Sequence, residues 1–407
     1  MKILAVNIAF RTEDFYKRWR LLTNTFSDTS VTLVGPKDYT YKAFGKPIVF
    51  KPTEIIEDKF KVFHINMKPK RILRFDWWDW ELGRIIINEK PDIIYLIGYE
   101  SRNALFMAKL ASLFLNQKPL IGLFSMRGKD IPFDNKEFML RWNFGRKWYS
   151  FIHVHYPQGV EVYRKQVKFK KTICMQTQIG VNKDLYYQST EGRNEIRKKY
   201  KINENDFVFG SAIRIQEIKG VFDILDACER LNFEFKYLLL GDGIDAPLVS
   251  KRIEESEVLK RRMIWPGRID GAKNVAAHLN AMDAFVHIPH TTKKWVDTFP
   301  LAVVQAMAIK LPVIGSDSGA VPYQLGPGGL LIKEGNRDDL VKIMEKLFSN
   351  RKLALTYGEN LYTRVLKTFE IRHLNNCLYQ NFSAYINNDT TRIIEDQADN
   401  QNLNGNE

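Results

Sequence analysis

The 407-residue chain has little cysteine: Cys174, Cys228 and Cys377, three residues far apart in the sequence. An odd, scattered set excludes a disulfide framework, and no Cys-x2-Cys pair offers metal-ligand spacing. A reducing compartment is the resulting expectation. No apolar run approaches the roughly 20 residues of a membrane-spanning helix. No solenoid-type repeat occurs. No Gly-x-Gly-x2-Gly follows the first strand pattern, where Val6-Asn-Ile-Ala-Phe10 stands instead, so a dinucleotide-dependent enzyme lacks support. The opening ten residues carry one Lys and a short apolar run, and read as a first strand rather than a signal peptide.

The composition that remains, 45% hydrophobic and 27% charged, is that of a globular protein and excludes a disordered or collagen-like chain. The length suits two domains at roughly 150 residues each, or three. Charge is unevenly spread. Residues 1–190 hold 32 Lys+Arg against 18 Asp+Glu, which accounts for the whole net charge of +14, and the remainder is neutral. Two domains with two different partners are expected.

Short apolar runs at Lys2–Val6, Val31–Val34, Ile93–Ile97, Pro119–Phe124 and Phe151–Val154 read as buried strands. A helical pattern over Arg102–Asn116 lies between them. The second half repeats the rhythm. Strands are expected at Phe207–Ile213, Tyr237–Gly241, Met263–Trp265, Ala284–Ile288 and Pro312–Gly315. Helices are expected at Gly220–Leu231, Ala272–Ala281, Phe299–Ile309 and Asp338–Ser349. Alternating strand and helix predicts α/β domains with parallel sheets, whose ligands sit at the carboxyl ends of the strands.

The most informative stretch runs Asp297-Thr-Phe-Pro-Leu-Ala-Val-Val-Gln305-Ala-Met-Ala. Asp297 or Thr298 is expected to cap a helix with Pro300 in its first turn, and Leu301, Val304 and Ala308 to face the core. A helix N-terminus of this kind is a ready anion site. Together with Pro312-Val-Ile-Gly-Ser-Asp317-Ser-Gly319, this stretch resembles the Glu-x7-Glu signature of retaining nucleotide-sugar glycosyltransferases, family four, of the GT-B fold. Arg214-x4-Lys219-Gly220, Leu239-Leu-Gly241-Asp-Gly243 and Gln178-Ile-Gly180-Val181-Asn182 are similar to three further family motifs, in order and in spacing. The resemblance covers about residues 174–347. Residues 1–173 share only the strand–helix rhythm.

The chemistry agrees with that resemblance. A nucleoside diphosphate brings two negative charges, which Arg214 would grip bidentately and Lys219 as a point charge. Arg268, in Trp265-Pro-Gly267-Arg268, is either a base contact or a plain loop arginine. The resemblance implies donor contacts at Arg214, Lys219, Gly220, Arg268, Thr298, Phe299, Pro300, Leu301 and Gln305. It also implies that the first carboxylate of the signature contacts the donor sugar and the second holds the ribose hydroxyls. Here Asp297 and Gln305 occupy those places. Asp297 keeps the charge on a side chain one methylene shorter, and Gln305 offers one carbonyl acceptor where a carboxylate offers two oxygens. Two readings follow: an enzyme with shifted donor preference, or a non-catalytic binding relative. With Arg214, Lys219 and helix N-termini on the diphosphate no metal is expected, consistent with the lack of an Asp-x-Asp, and no cofactor is expected beside the nucleotide-sugar substrate. His287 and His290 are three apart but lack a third ligand.

On the acceptor side, the family often carries a histidine after a central strand. The matching loop, Leu123–Lys129, has none, and His155, with His153, is the substitute candidate. Basic residues interleave with aromatics at Lys17–Arg20, Lys68–Trp80 and Arg141–Trp148, and a further basic run spans Arg164–Lys171. That composition suits an anionic membrane interface, nucleic acid, or a solvated face with buried Trp; given glycosyl transfer, a membrane-bound lipid-linked acceptor is the economical reading.

The expected architecture is α/β, GT-B, with two Rossmann-like domains facing each other across a cleft. Residues 1–185 would bind the acceptor and 186–370 the nucleotide sugar. Residues 371–387 would form a helix crossing back to the N-terminal domain, and 388–407 a disordered tail. The expected partners are a UDP- or GDP-linked sugar, a glycan or lipid-linked acceptor and an anionic membrane surface, with no nucleic acid. The expected location is cytoplasmic, on the inner face of the membrane.

Overall fold

The computed structural model describes residues 1–7, 9–10, 13–37, 40–43, 46–49, 54–65, 80–98, 102–125, 142–143, 145–293 and 295–394. They form two compact units. Among the described residues the first comprises Met1–Gln178 and the chain from Leu374 to Ile394, and the second comprises Ile179–His373.

The strands of the first unit are β1 (Lys2–Val6), β2 (Ser30–Pro36), β3 (Thr40–Ala43), β4 (Lys46–Val49), β5 (Ile55–Ile56), β6 (Phe60–Ile65), β7 (Ile93–Ile97), β8 (Leu120–Ser125), β9 (Phe151–Val154) and β10 (Thr172–Met175). Eight of them build one sheet in the order β10-β9-β8-β7-β1-β2-β6-β5. Only its edge strand β5 runs antiparallel to its neighbour. Strands β3 and β4 pair separately as an antiparallel ribbon. All five residues of β7, Ile-Ile-Tyr-Leu-Ile, are buried. Such an unbroken apolar run is what a parallel strand covered on both faces requires. The helix Arg102–Ser112 stops four residues before its apolar pattern does. Lys118 ends it by turning its Nζ onto the carbonyls of Ser112, Leu113 and Leu115 at 2.9, 3.2 and 2.8 Å.

The helix Ile371–Ile386 carries the chain back into this unit. Its Leu378, Phe382 and Tyr385 join Ile3, Tyr95 and Phe151 in one core. A buried polar chain fixes it further. Tyr95 Oη lies 2.8 Å from His153 Nδ1, and His153 Nε2 lies 2.9 Å from Tyr385 Oη. Burial, and secondarily the charge of Arg18, pushes His153 down to about 3, so the ring is neutral. Arg18 itself is buried, donating to Asn375 Oδ1 and to the Thr177 carbonyl at 2.9 Å each.

The second unit holds β11 (Val208–Ala212), β12 (Lys236–Leu240), β13 (Met263–Gly267), β14 (Ala284–His287), β15 (Val313–Ser316) and β16 (Leu330–Ile332). Their order is β13-β12-β11-β14-β15-β16, and every pair is parallel. This is the doubly wound order, in which the direction of winding reverses between β11 and β14. The reversal leaves the loops after β11 and β14 side by side at the carboxyl edge of the sheet. Among the described residues no helix is long and apolar enough to cross a membrane.

Candidate functional site

The two loops at the reversal carry most of the residues singled out from the sequence. After β11 the chain passes Arg214 and makes a short 3-10 turn, Glu217–Lys219. Gly220 then opens the helix Val221–Arg230. Gly220 has φ +73°, and a Cβ there would stand 2.3 Å from the Ile288 carbonyl oxygen of the neighbouring loop. The position needs glycine both for its left-handed backbone and for that approach. His290 N donates to the Ile218 carbonyl at 2.9 Å, so the loops are also hydrogen-bonded together.

This contact brings Lys219 onto Asp297. Lys219 Nζ donates to Asp297 Oδ2 at 2.6 Å, and His287 Nε2 reaches the same oxygen at 3.1 Å. The ammonium also lies 4.4 Å over the centroid of the Trp295 ring. Side-chain exposure is only 15% for Lys219, 11% for Asp297 and 4% for His287. Burial opposes ionisation of Asp297. The His287 hydrogen bond and the Lys219 ammonium outweigh it, and the carboxyl is held at about 2. Burial lowers both Lys219 and His287, against the pull of Asp297. The consistent state is a Lys219⁺–Asp297⁻ pair with a neutral His287 donating through Nε2. The main chain holds Asp297 from a third side, where Ala320 N donates to its carbonyl at 2.9 Å. Gly319, at φ +55°, permits this, since a Cβ there would come within 2.2 Å of the same carbonyl oxygen.

The helix Leu301–Ala308 begins later than expected. Its N-cap is Pro300, without a side-chain capping bond, and Asp297–Phe299 are lead-in loop. Asp297 is therefore occupied by Lys219 and His287 and is not a cap. Leu301, expected in the core stripe, is 37% exposed, whereas Val303, Val304 and Ala308 are buried. As the first residue of the helix, Leu301 precedes the turn that packs on the sheet. Thr298 is half-buried. Phe299 is buried, its ring edge-on to Phe369 at 5.7 Å. Gln305 donates through Nε2 to the buried Tyr186 phenol at 2.8 Å.

Arg214 is exposed and forms no ion pair among the described residues. Arg268 is half-exposed at the end of β13 and bonds Asp270 Oδ1 at 2.8 Å. His155 belongs to the first unit, not the unit that holds Asp297. Its ring packs edge-on to Phe124 at 4.5 Å, and burial pushes it down to about 3. His287 and His290, three apart in the sequence, take separate partners: His290 Nε2 lies 2.5 Å from Asp223 Oδ2. No group of three metal-ligating side chains is assembled among the described residues. Tyr186 and Trp295 gave no signal in the sequence, because Tyr186 lies 119 residues before its partner Gln305. The basic-aromatic segment 68–79 lies outside the described residues, as does the tail from 395 on. At Lys17–Arg20 the membrane-facing reading is overturned, because Arg18 and Trp19 are buried structural residues. Trp142 is likewise buried, against Tyr149, Tyr163 and Phe169. Arg164, Lys165, Lys168, Lys170 and Lys171 are exposed.

Part of the chain is similar to known proteins. Residues 192–364 match the family model of glycosyl transferases group 1. The matched stretch contains Lys219, His287, Asp297 and Gln305. The chain is 25% identical over 179 residues to the N-acetyl-alpha-D-glucosaminyl L-malate synthase of Bacillus anthracis, covering 43% of this chain and 45% of that protein. It is 23% identical over 189 residues to the alpha-monoglucosyldiacylglycerol synthase of Acholeplasma laidlawii, covering 44% and 45%. The chain thus spans about half the length of the curated relatives it matches. In fold it is similar to Anabaena HepE, solved in complex with UDP, with a TM-score of 0.70 and 16% identity over 94% of this chain and 100% of that one. The architecture is that of GT-B structures, an α/β fold of two parallel-sheet Rossmann-like domains.

Proposed function

We propose that this chain is a metal-independent glycosyltransferase that moves a sugar, with retention, from a nucleotide sugar to a glycan or lipid-linked acceptor. The observation that carries the reading is the buried Lys219–Asp297 pair, with His287, at the winding reversal of the domain that matches glycosyl transferases group 1. In this reading Lys219 and Arg214 neutralise the diphosphate, the uncapped start of the helix at Leu301 adds backbone N–H groups, and Asp297 meets the donor sugar. Gln305 faces the ribose, and Arg268 flanks the base. Cationic groups take the place of a metal on the leaving diphosphate, and the donor phosphate itself serves as the base. His155 is the acceptor-side candidate. The UDP complex of HepE and the glycolipid named for the Acholeplasma relative support a UDP-linked donor and a lipid-linked acceptor. The exposed basic run Arg164–Lys171 supports attachment to an anionic membrane from the cytoplasmic side.

Thermal-shift screening against UDP, GDP, ADP and their sugars tests the donor site, because a ligand that binds the native state stabilises it by mass action. A rise in melting temperature with one base is expected. No shift with any of them sinks the reading. Hydrolysis of the stabilising donor separates an enzyme from a binding relative, and the anomer of the released sugar reports retention. Activity that survives EDTA supports metal independence.

A further inference from the structure

We infer that His287 is a positioning residue for Asp297: it holds the carboxylate so that one oxygen is tied to the protein and the other is left for the donor sugar. This rests on the glycosyltransferase reading of the site. Lys219 Nζ and His287 Nε2 both converge on Oδ2, at 2.6 and 3.1 Å. Oδ1 has no hydrogen bond among the described residues. The two contacts come from different strands, since Lys219 follows β11 and His287 ends β14. A carboxylate held by Lys219 alone could still turn about its Cβ–Cγ bond and exchange its oxygens. The second donor, fixed in the sheet, removes that freedom.

The imidazole is a costly residue for a position that needed only packing. His287 is 3% exposed, and its Nδ1 is buried without a hydrogen-bond partner among the described residues. Donation from Nε2 to a carboxylate makes Nδ1 the bare acceptor of the neutral ring, and an unsatisfied buried acceptor is destabilising. An aliphatic side chain would avoid that cost, so the Nε2 contact is what the position retains. The contact also suits the shorter side chain. Asp297 stands where the resembling signature has Glu, so its carboxyl group sits one methylene closer to the main chain, and the strand-end imidazole meets it there.

The test compares His287→Leu, which keeps apolar volume and removes the donor, with His287→Gln, whose amide N–H can stand in for Nε2–H. Donor turnover and nucleotide affinity are measured on the full chain, using the UDP- or GDP-sugar that stabilises the wild type. A misdirected carboxylate predicts a roughly 10- to 100-fold fall in kcat for His287→Leu. The affinity for the free nucleoside diphosphate should stay within about twofold, and His287→Gln should recover most of the lost kcat. Unchanged kcat in His287→Leu, or equal losses of kcat and nucleotide affinity that His287→Gln does not restore, overturns the positioning role alone. A wild-type chain that binds no nucleotide and turns over no donor overturns the functional reading, and the role of His287 with it.

Discussion

Replacing Asp297 by Asn tests the electrostatics of the site without asking what the ligand is. The carboxyl is held at about 2 against an ordinary 3.8. A depression of nearly two units corresponds to about 2 kcal/mol of native-state stability in the charged form. The sign is fixed by the direction of the shift. The folded value lies below the unfolded one, so the stabilisation is complete above about pH 4 and is lost as pH falls through about 2. Asn keeps the size and an acceptor for Lys219 but removes the charge. At pH 7 Asp297→Asn should therefore cost about 2 kcal/mol and lower the melting temperature of the second unit by roughly 4–8 °C. The cost should shrink below pH 4. A cycle with Lys219→Met assigns the cause. Each single variant leaves one buried group without its charged partner, which is the expensive outcome for an ion pair, whereas the double variant leaves neither. The double variant should be more stable than the sum of the single effects implies, by about 1–3 kcal/mol. Urea unfolding followed by tryptophan fluorescence measures all four proteins. Additive effects, or an Asp297→Asn cost unchanged between pH 7 and pH 3, would refute a charge pair between Lys219 and Asp297.

Other outcomes follow from the same geometry. Gly220→Ala places a Cβ 2.3 Å from the Ile288 carbonyl at φ +73° and should cost about 2 kcal/mol or more, with nucleotide affinity falling alongside stability in a combined melting and titration experiment. Gln305→Glu gives Tyr186 a carboxylate partner and, on the proposed donor reading, the ribose a charged acceptor; it should then lower donor KM about fivefold, an exchange worth about 1 kcal/mol. An unchanged KM and an unchanged nucleotide Kd would show that Gln305 does not touch the ribose. Sedimentation with anionic liposomes at low salt should be reversed by high salt and weakened when Arg164, Lys165, Lys168 and Lys170 are changed to Ser. Binding to neutral liposomes alone would defeat the membrane reading.

The fold was legible where the sequence is uniformly apolar. The stretches Lys2–Val6, Ile93–Ile97 and Phe151–Val154 are strands at the bounds the sequence pattern predicts, because a parallel strand covered on both faces reads as a near-continuous apolar run, with the hydrogen-bonded His153 as a buried exception. Strands β6, β10 and β16 were less legible. In β6, Lys61 and His64 interrupt the apolar run, and β16 is three residues long. At the site, Lys219 and Asp297 were both legible, each by its place in a motif that resembles the glycosyltransferase signature. Their contact was not, because 78 residues separate them and only the sheet order makes their loops neighbours. Two sequence expectations failed for a shared reason. Asp297 looked like a helix cap, and Arg18 and Trp19 looked like a surface patch. In both cases a long-range partner, Lys219 for one and Asn375 for the other, overrode what the local pattern favours.

The return of the chain at Leu374 makes the first unit discontinuous, with the whole second unit inserted between Gln178 and Leu374. On the ribosome, Ile179–His373 emerges as one uninterrupted length and can complete its own sheet. The first unit begins earlier but is completed later, because Phe382 and Tyr385, which pack on Tyr95 and Phe151, follow the second unit in the chain. A chain ended before Leu374 would leave the apolar surface of Tyr95 and Phe151 uncovered in the first unit while the second unit remained whole.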